Sequence, residues 1–368
     1  MRTVRAIFAG GGTGGHLFPA IAIADELKKN EPNVEILFIG TSDKIEARVV
    51  PQKGYLFRSI WISGFHRRLR ISNLLFPLKV IVSFMQSVSI IKAFKPDVVV
   101  GTGGYVSGPV LRAAIFAKVP TLIQEQNSYP GVTTRMLAKK SNEVHLTFES
   151  SKKYFKQTNN TFITGNPTRN DLDNVNREEA IRYFGFEPSE QKKTLLVFGG
   201  SLGAHTINTA IQKNLNNIYQ KNIRLIWQTG SEDFESTKKM CAAYPQNAVW
   251  TNAFIDRMDY AYAASDLVVC RAGATTIAEL TRLGKAAILV PYPFAAANHQ
   301  VENAKSMAEY GAAEIVYDHE VQDRLEPELN LLMDDERLQR MSKKSKMFGK
   351  PDAAREIARR VIQLARMR

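Results

Sequence analysis

Two glycine-rich turns, one in each half, constrain this 368-residue chain more than any other feature. Gly10-Gly11-Gly12-Thr13-Gly14-Gly15 follows the apolar run at residues 4–9, and Gly199-Gly200-Ser201-Leu202-Gly203 follows the run at residues 194–198. In each, a β-branched, apolar segment turns through glycines into a helical pattern, so that backbone N–H groups and the positive end of a helix meet an anion. Two such turns predict two nucleotide-fold domains facing one cleft, and the length exceeds that of one typical hydrophobic core.

Apolar runs at residues 4–9, 34–39, 55–60, 98–100, 121–123 and 144–146 alternate with helical patterns such as 18–29 and 132–139. This is the βαβ rhythm of a parallel sheet. The second half repeats it with runs at 194–198, 224–228, 248–251, 267–270 and 287–290. We expect an α/β fold of two Rossmann-like parallel-sheet domains, residues 1–164 and 165–345, joined through Ile163-Thr164-Gly165-Asn166-Pro167. Residues 346–368 read as a basic C-terminal helix packing back on the first domain. Right-handed crossovers bring the loops at the carboxyl ends of the strands to one edge, where residues 10–15, 101–104 and 125–127 would gather.

The formal charge of +13 is unevenly placed. Between Glu46 and Asp97 there is no acidic residue, whereas Arg48, Lys53, Arg58, Arg67, Arg68, Arg70, Lys79, Lys92 and Lys95 are all basic. The same stretch holds Ile71, Leu74, Leu75, Phe76, Leu78, Ile81, Val82 and Phe84. Basic and apolar residues together suit an anionic lipid surface better than a phosphodiester backbone, so no nucleic-acid partner is expected. The first residues enter a strand without an apolar leader, and no uncharged apolar stretch reaches the roughly 18 residues of a membrane span, so a cytoplasmic protein is expected. Cys241 and Cys270 lie in no CxxC or Cys/His cluster, which argues against a disulfide framework and a zinc site. Asp171-Leu172-Asp173 ends no apolar strand and reads as a solvated loop, so neither metal nor cofactor is expected.

Gly10, Gly12 and Gly15 satisfy the G-x-G-x-x-G spacing, but the second strand ends Phe38-Ile39-Gly40-Thr41 without the carboxylate that an NAD ribose needs. No Lys-Ser/Thr follows the loop, which excludes a P-loop kinase. His16 ends the turn just before Phe18-Pro19 opens a helix, where its imidazole would face the cleft and take a proton from a sugar hydroxyl near neutral pH. A loop-bracing or capping histidine is the alternative. His299 stands at another helix start, while His66, His145, His205 and His319 have no comparable loop context. Glu125-Gln126-Asn127 offers a carboxylate and two amides at the same edge, suited to sugar hydroxyls or an acetamido group, or to bracing their own loop. In Arg271-Ala272-Gly273-Ala274-Thr275-Thr276-Ile277-Ala278-Glu279, a strand again turns into a helix, and Glu279 is a candidate for two ribose hydroxyls or an ordinary first-turn glutamate. These residue types fit a sugar-nucleotide enzyme.

Six segments now become specific: residues 11–20, 103–109, 125–127, 165–169, 199–204 and 299–304. Read as Gly-Gly-Thr-Gly-Gly-His-Leu-Phe-Pro-Ala, Gly-Gly-Tyr-Val-Ser-Gly-Pro, Glu-Gln-Asn, Gly-Asn-Pro-Thr-Arg, Gly-Gly-Ser-Leu-Gly-Ala and His-Gln-Val-Glu-Asn-Ala, their order over nearly the whole chain resembles the MurG family. These are the bacterial peptidoglycan N-acetylglucosaminyltransferases. The resemblance implies a GT-B fold, with the C-terminal domain binding UDP-N-acetylglucosamine and the N-terminal domain receiving a lipid-linked acceptor. It implies inverting transfer to the C4 hydroxyl of N-acetylmuramoyl-pentapeptide-pyrophosphoryl-undecaprenol, lipid I, giving lipid II on the cytoplasmic face of the bacterial inner membrane.

Carried over by position, the resemblance implies that Thr13, Gly14 and Gly15 lie near the donor phosphates or the acceptor pyrophosphate, and Asn127 near the transferred sugar. Arg169 and Ser201 would meet the nucleotide, Ile255 the uracil, and Ala274 and Thr275 would present backbone N–H groups. Glu279 would take the ribose hydroxyls and Gln300 those of N-acetylglucosamine. His16 and Glu125 remain alternative general bases. The chain departs from the family pattern at Asn298, where an acidic residue is expected, and at Ala272, where serine is frequent. Implied partners are the two substrates, an anionic membrane surface contacted peripherally through residues 65–78, and other cell-wall synthesis proteins. A UDP-N-acetylglucosamine 2-epimerase is the nearest rival reading, and an NAD-dependent oxidoreductase a more distant one.

Overall fold

Each half of the chain builds one all-parallel sheet with helices between its strands. The computed structural model describes residues 3–64, 75–155, 159–169 and 172–367. The first half runs β1 (Arg5–Gly10), α1 (Gly14–Asn30), β2 (Glu35–Gly40), α2 (Ile45–Gln52), β3 (Leu56–Ser59), α3 (Phe76–Phe94), β4 (Val98–Gly103), α4 (Gly104–Phe116), β5 (Thr121–Glu125), α5 (Val132–Leu137), β6 (Glu143–Leu146) and β7 (Thr161–Ile163). Among the described residues its sheet has the order β3-β2-β1-β4-β5-β6-β7.

The second half runs α6 (Arg177–Tyr183), β8 (Thr194–Phe198), α7 (His205–Gln220), β9 (Arg224–Gln228), α8 (Ser231–Cys241), β10 (Val249–Asn252), α9 (Met258–Ala264), β11 (Leu267–Cys270), α10 (Ala274–Leu283), β12 (Ala286–Leu289), α11 (His299–Glu309), β13 (Glu314–Ile315), α12 (Val321–Leu329), α13 (Asp335–Phe348) and α14 (Ala353–Arg366). Its sheet has the order β10-β9-β8-β11-β12-β13. The chain divides into two compact units, Met1–Arg169 with Lys350–Arg368, and Asn170–Gly349.

Strand β1 is buried on both faces, as expected of a central parallel strand read as one apolar run. Ala6 and Phe8 point to one face, where they join Leu17 and Ala20 of α1 and Ile357 and Val361 of α14; Ile7 and Ala9 point to the other, against Val106 and Val110 of α4. Helix α14 brings Ile357, Val361 and Leu364 to α1 as one stripe at helical spacing, and Ile357 and Val361 are fully buried there. A second attachment is electrostatic. Arg360 Nε donates to Glu143 Oε2 at 2.9 Å, and His145 Nε2 meets the same oxygen at 2.9 Å. Burial alone would raise the Glu143 carboxyl, but these two partners outweigh it and hold the group below its ordinary range.

Two expectations are corrected. The segment 163–167 is not a free linker: Ile163 closes β7, which pairs with β6, and the amides of Thr164 and Gly165 donate to Leu146 O at 3.1 and 3.2 Å. Asp173 is exposed in a loop as expected, and its carboxylate also receives Arg282 Nε at 3.0 and 2.9 Å. Finally, α3 is 19 residues long with a mean hydropathy of 1.3, long and apolar enough by length and composition to cross a membrane. Lys79 and Lys92 interrupt the apolar run near its ends, so no uncharged stretch of that length stands in the sequence. The helix lies along α4 and buries Ser83, Ser87 and Ile91, while Leu78, Ile81 and Met85 stay exposed. Arg67, Arg68, Arg70, Ile71 and Leu74 of the expected membrane-facing segment, with His66 and Asp171, lie outside the described residues.

Candidate active site

In the first unit β1 and β4 are neighbours although β2 and β3 come between them in sequence. Connections diverge on either side of this pair, and such a switch point opens a crevice at the carboxyl ends of its strands. The loop after β1 and the end of β4 line it. Helix α1 begins at Gly14 with Thr13 as N-cap, four residues before the expected opening at Phe18, so His16 sits within the first helical turn. Pro19 concealed this start, since it has no N–H to give Gly15 and reads as a helix opener.

The half-buried His16 is held by β4 and the loop after β5. Its Nδ1 lies 2.9 Å from Gln126 Oε1 and 3.2 Å from Thr102 O, and its carbonyl accepts Thr102 Oγ1–H at 2.8 Å. Gly103, at φ +102°, makes room for the ring; a Cβ there would sit 2.7 Å from His16 Nδ1. The exposed Thr13 hydroxyl makes no capping bond, and the amides of Gly14 and Gly15 have no intrahelical acceptor.

Glu46, which sequence reasoning did not single out, braces this loop from beneath. It is 1% exposed; Oε2 accepts Gly12 N–H at 3.0 Å, and Oε1 accepts the N–H and hydroxyl of Thr41, each at 3.0 Å. Glu125 is likewise a brace. Its carboxylate accepts Asn127 N–H at 3.1 Å and Gly131 N–H at 2.9 Å, closing the loop that carries the half-buried Asn127.

The second unit repeats the device at β8 and β11, again neighbours across a switch point. Gly203 has φ +82°, and a Cβ on it would lie 2.1 Å from Thr229 O, which fixes glycine there. Ser201 is exposed on this loop. Across the switch point, Ala274 and Thr275 open α10, whose N-cap is Gly273, and Thr275 Oγ1 is a buried hydroxyl without a hydrogen-bond partner. Glu279 Oε2 accepts Tyr262 Oη–H at 3.0 Å. Gln228 ends β9 and joins two loops: its Nε2 donates to Gly200 O at 2.8 Å, and its Oε1 accepts Ile255 N–H at 2.9 Å. Gln300 Oε1 accepts Tyr292 N–H at 2.9 Å. Arg271 ties the end of β11 to Asp318, to Thr206 Oγ1 at 3.0 Å and to Val290 O at 3.2 Å. Sequence reasoning singles out neither Gln228 nor the pairing of Arg271, because their partners Gly200 and Asp318 lie far away along the chain.

Arg169 is exposed at the end of the first unit. His205 does have a glycine-loop context, contrary to expectation: it opens α7 directly after the second glycine turn, with Nδ1 2.8 Å from Asp233 Oδ1. His299 opens α11. Among the described residues, no three of His, Cys, Asp and Glu gather as metal ligands.

Comparison with known proteins decides the family. Residues 6–146 match the glycosyltransferase family 28 N-terminal domain, and residues 194–357 its C-terminal domain. The chain is 45% identical to the UDP-N-acetylglucosamine--N-acetylmuramyl-(pentapeptide) pyrophosphoryl-undecaprenol N-acetylglucosamine transferase of Christiangramia forsetii, over 98% of each chain. It is 47% identical to the enzyme of the same name in Chlorobaculum parvum, over 99% of this chain and 100% of that one. The crystal structure of Acinetobacter baumannii MurG superposes with a TM-score of 0.76 at 27% identity, covering 98% of this chain and 99% of that one. The chain belongs to the MurG family.

The two parallel sheets are therefore the GT-B fold of a MurG-family glycosyltransferase. The UDP-GlcNAc 2-epimerase of Neisseria meningitidis also superposes, with a TM-score of 0.69 over 98% of this chain and 100% of that one, but at 14% identity it shares the fold alone. The transferase name belongs to the relatives with 45% and 47% identity, so the epimerase reading is not favoured over a MurG-type one.

Proposed function

We propose that this chain transfers N-acetylglucosamine from UDP-N-acetylglucosamine to the C4 hydroxyl of lipid I, with inversion at the anomeric carbon, giving lipid II. The full-length likeness to relatives named for this transfer carries the reading.

His16 is the general base. Its Nε2 takes the proton of the C4 hydroxyl as that oxygen bonds to C1 of the sugar. The bond from C1 to the diphosphate oxygen breaks, and its electron pair leaves with UDP. The proton passes to solvent afterwards. Glu125 is the weaker choice, because its carboxylate is buried and bound to two backbone amides. A base held at its Nδ1 side, on a half-buried ring, suits the step better.

The N-terminal domain carries the acceptor and the C-terminal domain the donor. The Gly14 and Gly15 amides, with Thr13, receive pyrophosphate oxygens, as first-turn amides do. In the C-terminal domain Ser201 and the amides of Ala274 and Thr275 meet the donor diphosphate from the two sides of the β8/β11 switch point; Arg169, which ends the first unit, is a candidate cation for the nucleotide. They offset the leaving-group charge without a metal ion. The Ile255 N–H is committed to Gln228, so its carbonyl is the group that accepts uracil N3–H. Glu279, oriented by Tyr262, takes the ribose hydroxyls. Gln300 and Asn127 contact the sugar.

The exposed Leu78, Ile81 and Met85 of α3, with Lys79 beside them, support peripheral docking of the N-terminal domain on the anionic cytoplasmic face of the inner membrane. Full retention of binding to anionic vesicles after Arg67, Arg68 and Arg70 are changed to glutamate removes that part of the reading. Radiolabelled N-acetylglucosamine transfer to a short-chain lipid I analogue in EDTA tests the reaction. Wild type transfers the label, and His16→Ala keeps UDP binding but loses turnover by about 10²–10⁴-fold. Absence of transfer by folded wild type, or epimerised donor without acceptor, overturns the proposal.

A further inference from the structure

We infer that Gln126 is the positioning residue that fixes the tautomer of His16. The inference rests on His16 as base and concerns how that base is kept ready. The argument is one of hydrogen-bond counting. His16 Nδ1 faces two oxygens, Gln126 Oε1 at 2.9 Å and Thr102 O at 3.2 Å. A backbone carbonyl only accepts, so Nδ1 must be the donor whenever the amide of Gln126 presents its oxygen.

That orientation is itself dictated. Gln126 Nε2 faces three oxygens: Thr102 O at 2.7 Å, Gln124 O at 3.2 Å and Gln124 Oε1. Turning the amide over would set an oxygen against all three and an NH₂ group against His16. Gln126 is 2% exposed, so water does not compensate for the exchange. Gln124, fully buried, is oriented by the same logic one step further on. Its Nε2 faces Thr147 Oγ1 at 3.4 Å, Gly165 O at 3.5 Å and Asn166 Oδ1 at 3.5 Å, which turns its own oxygen toward Gln126. The direction of the whole chain, from the loop after β7 through β5 to α1, leaves only an acceptor for His16 Nδ1.

Neutral His16 therefore carries its hydrogen on Nδ1 and its lone pair on Nε2, the form a base needs for a hydroxyl on the ring's far side. When Nε2 takes the proton, the Gln126 and Thr102 oxygens stabilise the imidazolium without moving. A glutamine does this without adding a buried charge beside a loop that must accept a diphosphate. On either side, Glu125 braces its own loop and Asn127 is half-buried, whereas Gln126 between them aims into the interior.

The test uses the full chain with ring-¹⁵N-histidine, reading two-bond ¹H–¹⁵N correlations above the histidine titration range, with His16 identified as the signals missing in His16→Ala. Wild-type His16 shows a protonated Nδ1 and an unprotonated Nε2. Gln126→Met, close in volume but without an acceptor, shifts His16 toward a mixture of tautomers. It also lowers kcat by about 10-fold, the worth of one hydrogen bond, while KM for UDP-N-acetylglucosamine stays within about 2-fold. An Nε2–H tautomer in wild type overturns the inference, and so does a Gln126→Met protein that keeps both the Nδ1–H signature and full kcat. The wild-type spectrum decides the matter even where the variant fails to fold. Unchanged turnover in His16→Ala instead sinks the role of His16 as base, and leaves the tautomer reading to stand or fall by the spectrum.

Discussion

Glutamine in place of Glu125 separates the two candidate bases. The carboxylate spends one oxygen on Asn127 N–H at 3.1 Å and the other on Gly131 N–H at 2.9 Å, in a residue that is 4% exposed. An amide has one oxygen, so whichever way it turns, one of those N–H groups loses its acceptor and faces an NH₂ group. Asn127 is half-buried and Gly131 exposed, so water replaces part of either bond, and each lost bond costs about 0.5–1.5 kcal/mol. Glu125→Gln should lower stability by about that amount and Glu125→Ala, which removes both acceptors, by about 1–3 kcal/mol. Turnover should respond mildly, within about 10-fold for Glu125→Gln, because the loop to Gly131 is loosened while the base is untouched. Removal of a general base costs about 10²–10⁴-fold instead. Urea midpoints and label transfer on the same preparations read the two effects. A Glu125→Gln protein with wild-type stability and a loss of turnover beyond about 100-fold would refute the brace and make Glu125 the base.

Two further outcomes are expected. Gly203→Ala should destabilise the second unit by about 2–5 kcal/mol, combining the left-handed backbone penalty with overpacking against Thr229 O, and should weaken UDP binding measured on whatever folded fraction remains. The Glu143 carboxyl is held below its ordinary value of 4.5 in the folded chain, so its share of stability is present above about pH 4.5 and lost as pH falls through the lowered folded value. Glu143→Gln should therefore lower stability at neutral pH and flatten the acid side of the stability profile; an acid limb identical to wild type would remove the Glu143, His145 and Arg360 attachment of α14 from the account.

What was legible in the sequence follows from how each element is stabilised. The central strands announce themselves because both faces are apolar: β8, β9 and β11 coincide with the runs at 194–198, 224–228 and 267–270. β7 and β13 did not, being three and two residues long, too short to show a period. The glycine turns were legible as turns. What supports them was not, since Glu46 reaches Gly12 across 34 positions and Gln126 reaches His16 across 110. Such contacts leave no local spacing to find. Glu125 illustrates the converse: its residue type and its place after a strand fit a catalytic carboxylate, and only the two amides on its oxygens reveal a brace.

The two switch points use one scaffold for different ends. At β1/β4, the residue after the glycine turn is a histidine, and the neighbouring strand ends in Thr102-Gly103, a carbonyl to hold Nδ1 and a glycine to admit the ring. At β8/β11, the neighbouring strand leads instead into Arg271, whose guanidinium is consumed by Asp318, Thr206 and the carbonyl of Val290. That arginine anchors the crevice wall, and its charge is already paired with Asp318, so the backbone amides at the start of α10 remain the groups suited to a diphosphate. On the proposed function, the same crevice geometry serves proton transfer where a side chain is held by its inner nitrogen, and anion binding where the side chain is tied into the wall. Exchanging the two behaviours would require changing the strand end opposite the glycine turn together with the residue that follows the turn.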